Sequence, residues 1–343
     1  MRRLALAVTT AATALSALIA LPGAGATEPA ERTATAAAGS YVALGDSYAS
    51  GLGTRSYLAD GSQCRRSAQA YPSLVAAQQG LDLDFRACSG ATIPDVTNAQ
   101  LGALGASTSL VTVSVGGNDA GFADVLTECA TPFWAGDCDA AVDGAQAFIA
   151  GTLPGRLGTL YSGIRSRATT ARVVVVGYPR VFMGEDCNAL TWFSPQEQTR
   201  LNQTADQLNA VLAARAAAAG FAFVNPTSRF TGHAVCDDPE WLNGLSNPIE
   251  ESYHPNLAGH SQGYTPIVGS ALTGSTVRVT TATRSLARAQ APELAREQRR
   301  NAGLDAGIEP RTFRAPRLDS PQLRRAAERA GVDFDRWLAR QRR

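Results

Sequence analysis

A chain of 343 residues, 45% hydrophobic and 18% charged, can build one substantial core or two small ones. Its net charge of +1 gives no reason to expect nucleic acid or an acidic partner, and no stretch outside residues 1–26 is apolar enough to span a bilayer. The balance is uneven: from Val277 onward sixteen Arg face eight Asp or Glu, so this tail carries about +8 and everything before it about −7.

In chain order, Arg2 and Arg3, the apolar run Leu4–Leu21 and the small residues Ala24-Gly25-Ala26 predict a secretory signal peptide over 1–26. Polar Thr9, Thr10, Thr13 and Ser16, with Pro22-Gly23 ending the run early, argue against a membrane anchor. Residues 27–39 are an Ala/Thr/Glu-rich disordered lead-in. Tyr41–Leu44 is a short apolar strand running into a turn of small residues, Gly45-Asp46-Ser47-Tyr48-Ala49-Ser50-Gly51. Residues 67–79 have helical spacing, 81–86 alternate as a strand, and 87–92 form a second small-residue turn. A third strand at 110–115 ends on Gly116-Gly117-Asn118-Asp119.

Cys129 to Cys138 brackets a loop with Phe133 and Trp134, and a helix at 153–168 opens on Pro154. The valine run Val173–Val176 suits the buried centre of a parallel sheet. Ser194-Pro195-Gln196-Glu197 is a capping box that starts a long amphipathic helix, and the last strand is 222–225. Strands alternating with helices predict one parallel-sheet α/β domain over 40–273, with Pro266 kinking or restarting its terminal helix. Residues 274–343 are an Arg- and Ala-rich extension interrupted by Pro292, Pro310, Pro316 and Pro321. It reads as a solvated tail, or as one ending in a single basic helix from Ser320 that docks on the domain or on an anionic surface.

Six cysteines behind a signal peptide point to disulfides formed outside the cytosol. There is no CxxC and no Cys/His pair at metal spacing, so a zinc site is not expected. The sequence leaves the pairing open. Neighbour pairing, Cys64–Cys88, Cys129–Cys138 and Cys187–Cys236, closes the shortest loops and is the favoured expectation.

Ester hydrolysis needs a hydroxyl nucleophile, an imidazole to take its proton, and donors aimed at the developing oxyanion. Ser47, Gly90 and Asn118 sit on turns that follow strands, and His254 precedes the domain's last helix. Together they supply that set: Ser47, His254, the backbone amides of Ser47 and Gly90, and the Asn118 side-chain amide.

Four blocks in order carry a family resemblance: Gly45-Asp46-Ser47, Gly90 within Cys88-Ser89-Gly90-Ala91, Gly116-Gly117-Asn118-Asp119, and His254-Pro255 after Glu251. Over about residues 40–272 the chain resembles the SGNH (GDSL) hydrolase superfamily, in particular secreted actinomycete lipases and esterases. The resemblance implies a flavodoxin-like three-layer α/β/α fold with an open site. It implies Ser47 as nucleophile, His254 as general base and Ser47, Gly90 and Asn118 as the oxyanion hole, with no cofactor needed. Three disulfides, common in secreted members, fit the cysteine count.

One departure concerns the family's DxxH block, which here is Glu251-Ser252-Tyr253-His254. The acid's task of orienting the imidazole falls either to Glu251 or to the main-chain carbonyl of Ser252. Of the remaining candidates, His233 and His260 read as structural, and Asp46 and Asp119 as braces of their turns. Phe133, Trp134, Trp192 and Phe193 line an acyl pocket or are simple packing.

The expectation is therefore a secreted, monomeric serine carboxylester hydrolase, a lipase or esterase acting on lipid or other acyl esters. Phospholipase A or carbohydrate O-acyl esterase activity at the same site are alternatives. A non-catalytic binding protein using the basic tail is the rival of a different class.

Overall fold

Five apolar segments pair edge to edge in the computed structural model, which describes residues 39–341. They are β1 (Ser40–Gly45), β2 (Asp82–Phe85), β3 (Leu110–Ser114), β4 (Arg172–Val176) and β5 (Ala222–Val224). All pairings are parallel and the strand order is β2-β1-β3-β4-β5. A wholly parallel sheet needs cover on both faces, which explains why Val173–Val176 are fully buried. The helices Tyr71–Gln79, Thr265–Thr273 and Thr281–Gln298 pack together as one group, and Cys138–Gly151, Leu153–Arg167 and Pro195–Ala218 as another. The expected signal peptide, and the lead-in up to residue 38, lie outside the described residues.

This strand order reverses direction between β1 and β3, and the crevice beyond the carboxyl ends of such strands is where ligands collect. The register aligns Gly45 with Ser114, so both strands end level. Asp46 N–H then donates to Ser114 C=O at 2.9 Å, carrying the pairing one residue into the turn. The approach is so close that a Cβ on Gly45 would lie 2.4 Å from the Ser114 carbonyl oxygen, and φ there is +135°. Glycine is required at that position.

The predicted helix over 67–79 begins four residues later, at Tyr71. Pro72 is compatible only with the first helical turn, so it sets the start. The long helix begins at Pro195 with the full capping box, Ser194 and Glu197 bonding reciprocally. At Pro266 a π-helical turn, Gly259–Tyr264, gives way to a fresh α-helix from Thr265. The helices Phe122–Cys129 and Cys138–Gly151 frame the disulfide loop. Disulfides join Cys64–Cys88, Cys129–Cys138 and Cys187–Cys236.

The extension departs most from expectation. Its residues fall within the same compact unit as the sheet, and Thr281–Gln298 is one helix that runs through Pro292. The single terminal helix expected from Ser320 is two, Pro321–Arg329 and Phe334–Gln341. Gly331 takes the left-handed conformation (φ +67°) and stops the first. Asp333 Oδ1 accepts from Arg336 N–H at 3.0 Å and starts the second.

Candidate active site

Ser47 is the first residue of a short helix, Ser47–Ser50, capped by Asp46. The Asp46 carboxylate accepts from Tyr48 N–H at 3.0 Å and from the Tyr178 hydroxyl at 2.5 Å. Burial pushes this carboxyl up to about 7, against the pull of those two bonds. Gln100 fixes the strand end below the turn: its amide donates to Gly45 C=O at 2.9 Å and accepts from Gly45 N–H at 2.8 Å. Asp46 therefore braces rather than reacts, as the sequence suggested, while Gln100 and Tyr178 were not singled out. Nothing near them in sequence marks either as part of this turn.

His254 Nε2 lies 2.9 Å from Ser47 Oγ, and its Nδ1 lies 2.8 Å from the Ser252 carbonyl oxygen. A carbonyl can only accept, so Nδ1 carries the proton and Nε2 of the neutral ring presents its lone pair to the serine hydroxyl. The backbone makes this possible. Tyr253 holds φ at +62°, a conformation rare for non-glycine residues. Tyr253 N–H donates to the Asn243 carbonyl and Asn243 N–H to the His254 carbonyl, both at 2.9 Å. The Tyr48 hydroxyl donates to Tyr253 C=O at 2.7 Å, tying the histidine segment to the helix that carries Ser47. Burial holds His254 down to about 4, with the Ser252 carbonyl acting in the opposite direction.

The loop after β2 climbs beside β1, with Cys88 N–H on the Gly45 carbonyl at 2.9 Å, and this brings Gly90 to the serine turn. Neither Ser47 N–H nor Gly90 N–H donates to an acceptor among the described residues. Asn118 Nδ2 gives one hydrogen to Ala91 C=O at 3.1 Å, which leaves its second hydrogen free. Ser47, Gly90, Asn118 and His254 line one narrow space. On the other side Ser47 and Asn118 open onto an apolar pocket. Its walls include Phe122, Val125 and Leu126 from one helix, Ile149 from a second, and Leu201 and Leu208 from a third. Such an arrangement can move a proton from Ser47 to His254, gather donors around a carbonyl oxygen, and hold an acyl chain.

Residues 43–262 match the GDSL-like Lipase/Acylhydrolase family. The chain belongs to that family. It is 45% identical over 262 residues to Lipase 1 of Streptomyces coelicolor, covering 75% of this chain and 96% of that protein. To a lipase of Streptomyces rimosus it is 43% identical over 267 residues, covering 77% of this chain and 97% of the relative. Among solved structures, a phospholipase A1 from Streptomyces albidoflavus superposes with a TM-score of 0.65 at 48% identity, covering 68% of this chain and all of the other. The extracellular lipase of Streptomyces rimosus gives the same TM-score and coverage at 44% identity. The parallel five-stranded sheet with flanking helices is the SGNH hydrolase fold.

In this GDSL-family chain the Glu251 carboxylate does not contact His254. It is buried, accepts from the Tyr57 hydroxyl at 2.5 Å and lies 3.3 Å from Arg55 Nε. Its partners lie on the loop after the Ser47 helix, and of the two orienting groups the sequence offered, the Ser252 carbonyl is the one that meets the imidazole. His233 stacks on Trp241 at 3.8 Å and donates to Pro239 C=O, and buried His260 accepts from Tyr71 N–H. Asp119 accepts from Ile93 N–H at 2.9 Å and braces its turn.

The four loop aromatics do not line the acyl pocket. Phe133 is 86% exposed, Phe193 packs on Phe182 and Tyr253, and Trp134 and Trp192 pack on Trp337 of the extension. Two Cys–carboxylate groupings, Cys64/Cys88/Asp305 and Cys187/Cys236/Glu240, are close enough to share an ion, but in both the sulfurs are disulfide-bonded. No helix among the described residues is long and apolar enough to cross a membrane.

Proposed function

We propose that this chain is a secreted serine carboxylester hydrolase, a lipase or esterase of the GDSL type. The observation that carries the reading is the hydrogen-bonded series Ser47 Oγ, His254 Nε2, His254 Nδ1 and Ser252 C=O, opening onto an apolar pocket. Ser47 Oγ attacks the ester carbonyl as His254 Nε2 takes its proton. The oxyanion is held by the N–H groups of Ser47 and Gly90 and by the Asn118 amide. Collapse expels the alcohol, which receives the proton from His254. Water then repeats the sequence on the acyl-enzyme and releases the acid. The Ser252 carbonyl orients the imidazole and stabilises its cation. These steps use the chain's own groups and water. Secretion is supported by the leader sequence, by three disulfides and by the likeness to the extracellular lipase of Streptomyces rimosus.

The apolar walls of the pocket favour acyl chains beyond acetate. The expected result with p-nitrophenyl esters from acetate to palmitate is a kcat/KM that rises beyond the acetate ester; equal silence across the series would contradict the reading. A phospholipase A activity is the second reading, favoured by the 48% identity to a phospholipase A1. Release of fatty acid from phosphatidylcholine vesicles would support it.

The carbonyl's role makes a separate prediction. A base that works only when neutral loses activity as pH falls through its pKa, so kcat/KM should be flat near neutrality and fall with a single proton near pH 4. Glu251→Gln keeps the shape of the buried side chain and should leave both kcat/KM (within about tenfold) and this acid limb in place. A shifted limb together with a larger loss, measured on p-nitrophenyl butyrate, would assign the orienting role to Glu251.

A further inference from the structure

The family match ends at residue 262, yet the extension beyond it returns to the catalytic centre. Beyond the helix Thr281–Gln298, which packs on Tyr71–Gln79, it is anchored by Asp305, whose Oδ2 receives two hydrogen bonds at 2.9 Å from the fully buried Arg66, beside the Cys64–Cys88 disulfide. Severing either partner from such a buried pair is strongly unfavourable. The extension is anchored last by Leu323, Ala327, Phe334 and Trp337, which cluster with Trp134 and Trp192. The rings of Trp134 and Trp337 are 5.1 Å apart, and Trp192 Nε1 donates to Gln341 at 3.2 Å. Between these two anchors, residues 308–317 form neither helix nor strand.

That connecting piece crosses the reacting groups. Pro310 and Phe313 line the same narrow space as Ser47, Gly90 and His254. Pro310 sits so tightly on Gly90 that a Cβ there would lie 2.4 Å from Pro310 Cα. Ile308 and Phe313 are buried in the main core, and Phe313 meets Tyr253 edge-on at 4.9 Å. Arg311 pairs with Asp124 at 3.0 Å and Arg314 N–H donates to Thr127 Oγ1 at 3.0 Å, both on the helix that walls the acyl pocket. The acyl pocket lies on the other side of Ser47 and is not lined by the extension. The extension therefore leaves the acyl pocket open while Pro310 and Phe313 narrow the space between Ser47, Gly90 and His254 in which the ester's carbonyl oxygen and alcohol must sit.

We infer that residues 308–317 are an autoinhibitory strap: Pro310 and Phe313 crowd the space between Ser47, Gly90 and His254 that an ester needs, and full activity requires the strap to lift. This rests on the reading of Ser47 as the nucleophile. The strap has no secondary structure of its own, so it can open without unfolding the sheet. The apparent activity of the full chain is then reduced by the fraction of molecules that are open.

The test uses the full chain. Phe313→Asp puts an unpaired carboxylate where the core cannot solvate it, so the strap should leave. Hydrolysis of p-nitrophenyl butyrate and the rate at which a p-nitrophenyl phosphonate labels Ser47 should both rise at least about tenfold. Because Phe313 touches Tyr253, a second protein carries a specific protease site inserted in the turn at Leu318–Asp319 and is cut after folding; the same rise is expected. Rates within about twofold of the uncut, unsubstituted chain, or a fall on cutting, would overturn the strap and make the segment a buttress of the site. Hydrolysis that rises while Ser47 stays unlabelled would instead overturn the assignment of Ser47.

Discussion

Ser47→Ala should lower kcat on p-nitrophenyl butyrate by about 10⁴-fold or more, with a melting temperature close to that of the unsubstituted chain. The hydroxyl is the group placed to attack while His254 accepts its proton, and alanine removes it without changing the turn. The helix start is held by Asp46, Tyr178 and Gln100, none of which bonds the Ser47 hydroxyl. His254→Ala should fall to a similar level. The double variant should be no slower than the slower single one, because serine and histidine act as one unit and neither works alone. Additive losses in the double variant would mean that the two residues contribute by separate routes.

Asn118→Ala should cost about 10²- to 10³-fold in kcat while KM moves little, since an oxyanion donor acts on the transition state rather than on the bound ester. Its Nδ2 has a second task, the bond to Ala91 C=O at 3.1 Å. The kcat-against-KM split separates the two: loss of a loop brace would loosen substrate binding and lower the melting temperature, whereas loss of an oxyanion donor would do neither. An unchanged kcat with a raised KM would remove Asn118 from the oxyanion hole.

The positions of Ser47, Gly90, Asn118 and His254 were readable because each lies at a boundary with strong local chemistry. Three follow strands on turns of small residues that include glycine, and the histidine precedes a proline. The strands were equally legible: valine-rich or alternating runs between small-residue turns leave few other conformations. What the sequence hides is contact at long range. Tyr48 and Tyr253 are separated by 205 residues and Gln100 and Gly45 by 55, and no local pattern announces either pairing. The choice between Glu251 and the Ser252 carbonyl was open because it turns on the left-handed backbone of Tyr253, which a tyrosine gives no reason to expect. The extension was hardest to read. Its arginines and prolines suggest a solvated tail, and what holds it is the packing of Thr281–Gln298 on Tyr71–Gln79, a few apolar residues further on and one buried aspartate, none of which a local pattern announces.

The most direct measurement is to find where the acyl group goes. The mature protein would be mixed with p-nitrophenyl butyrate, quenched in acid during the burst, digested and examined by mass spectrometry. A serine nucleophile at position 47 predicts one butyryl group per active chain, on the peptide containing Ser47, absent from Ser47→Ala and lost on longer incubation as water clears the intermediate. Butyryl on another residue, or equal labelling of Ser47→Ala, would contradict it.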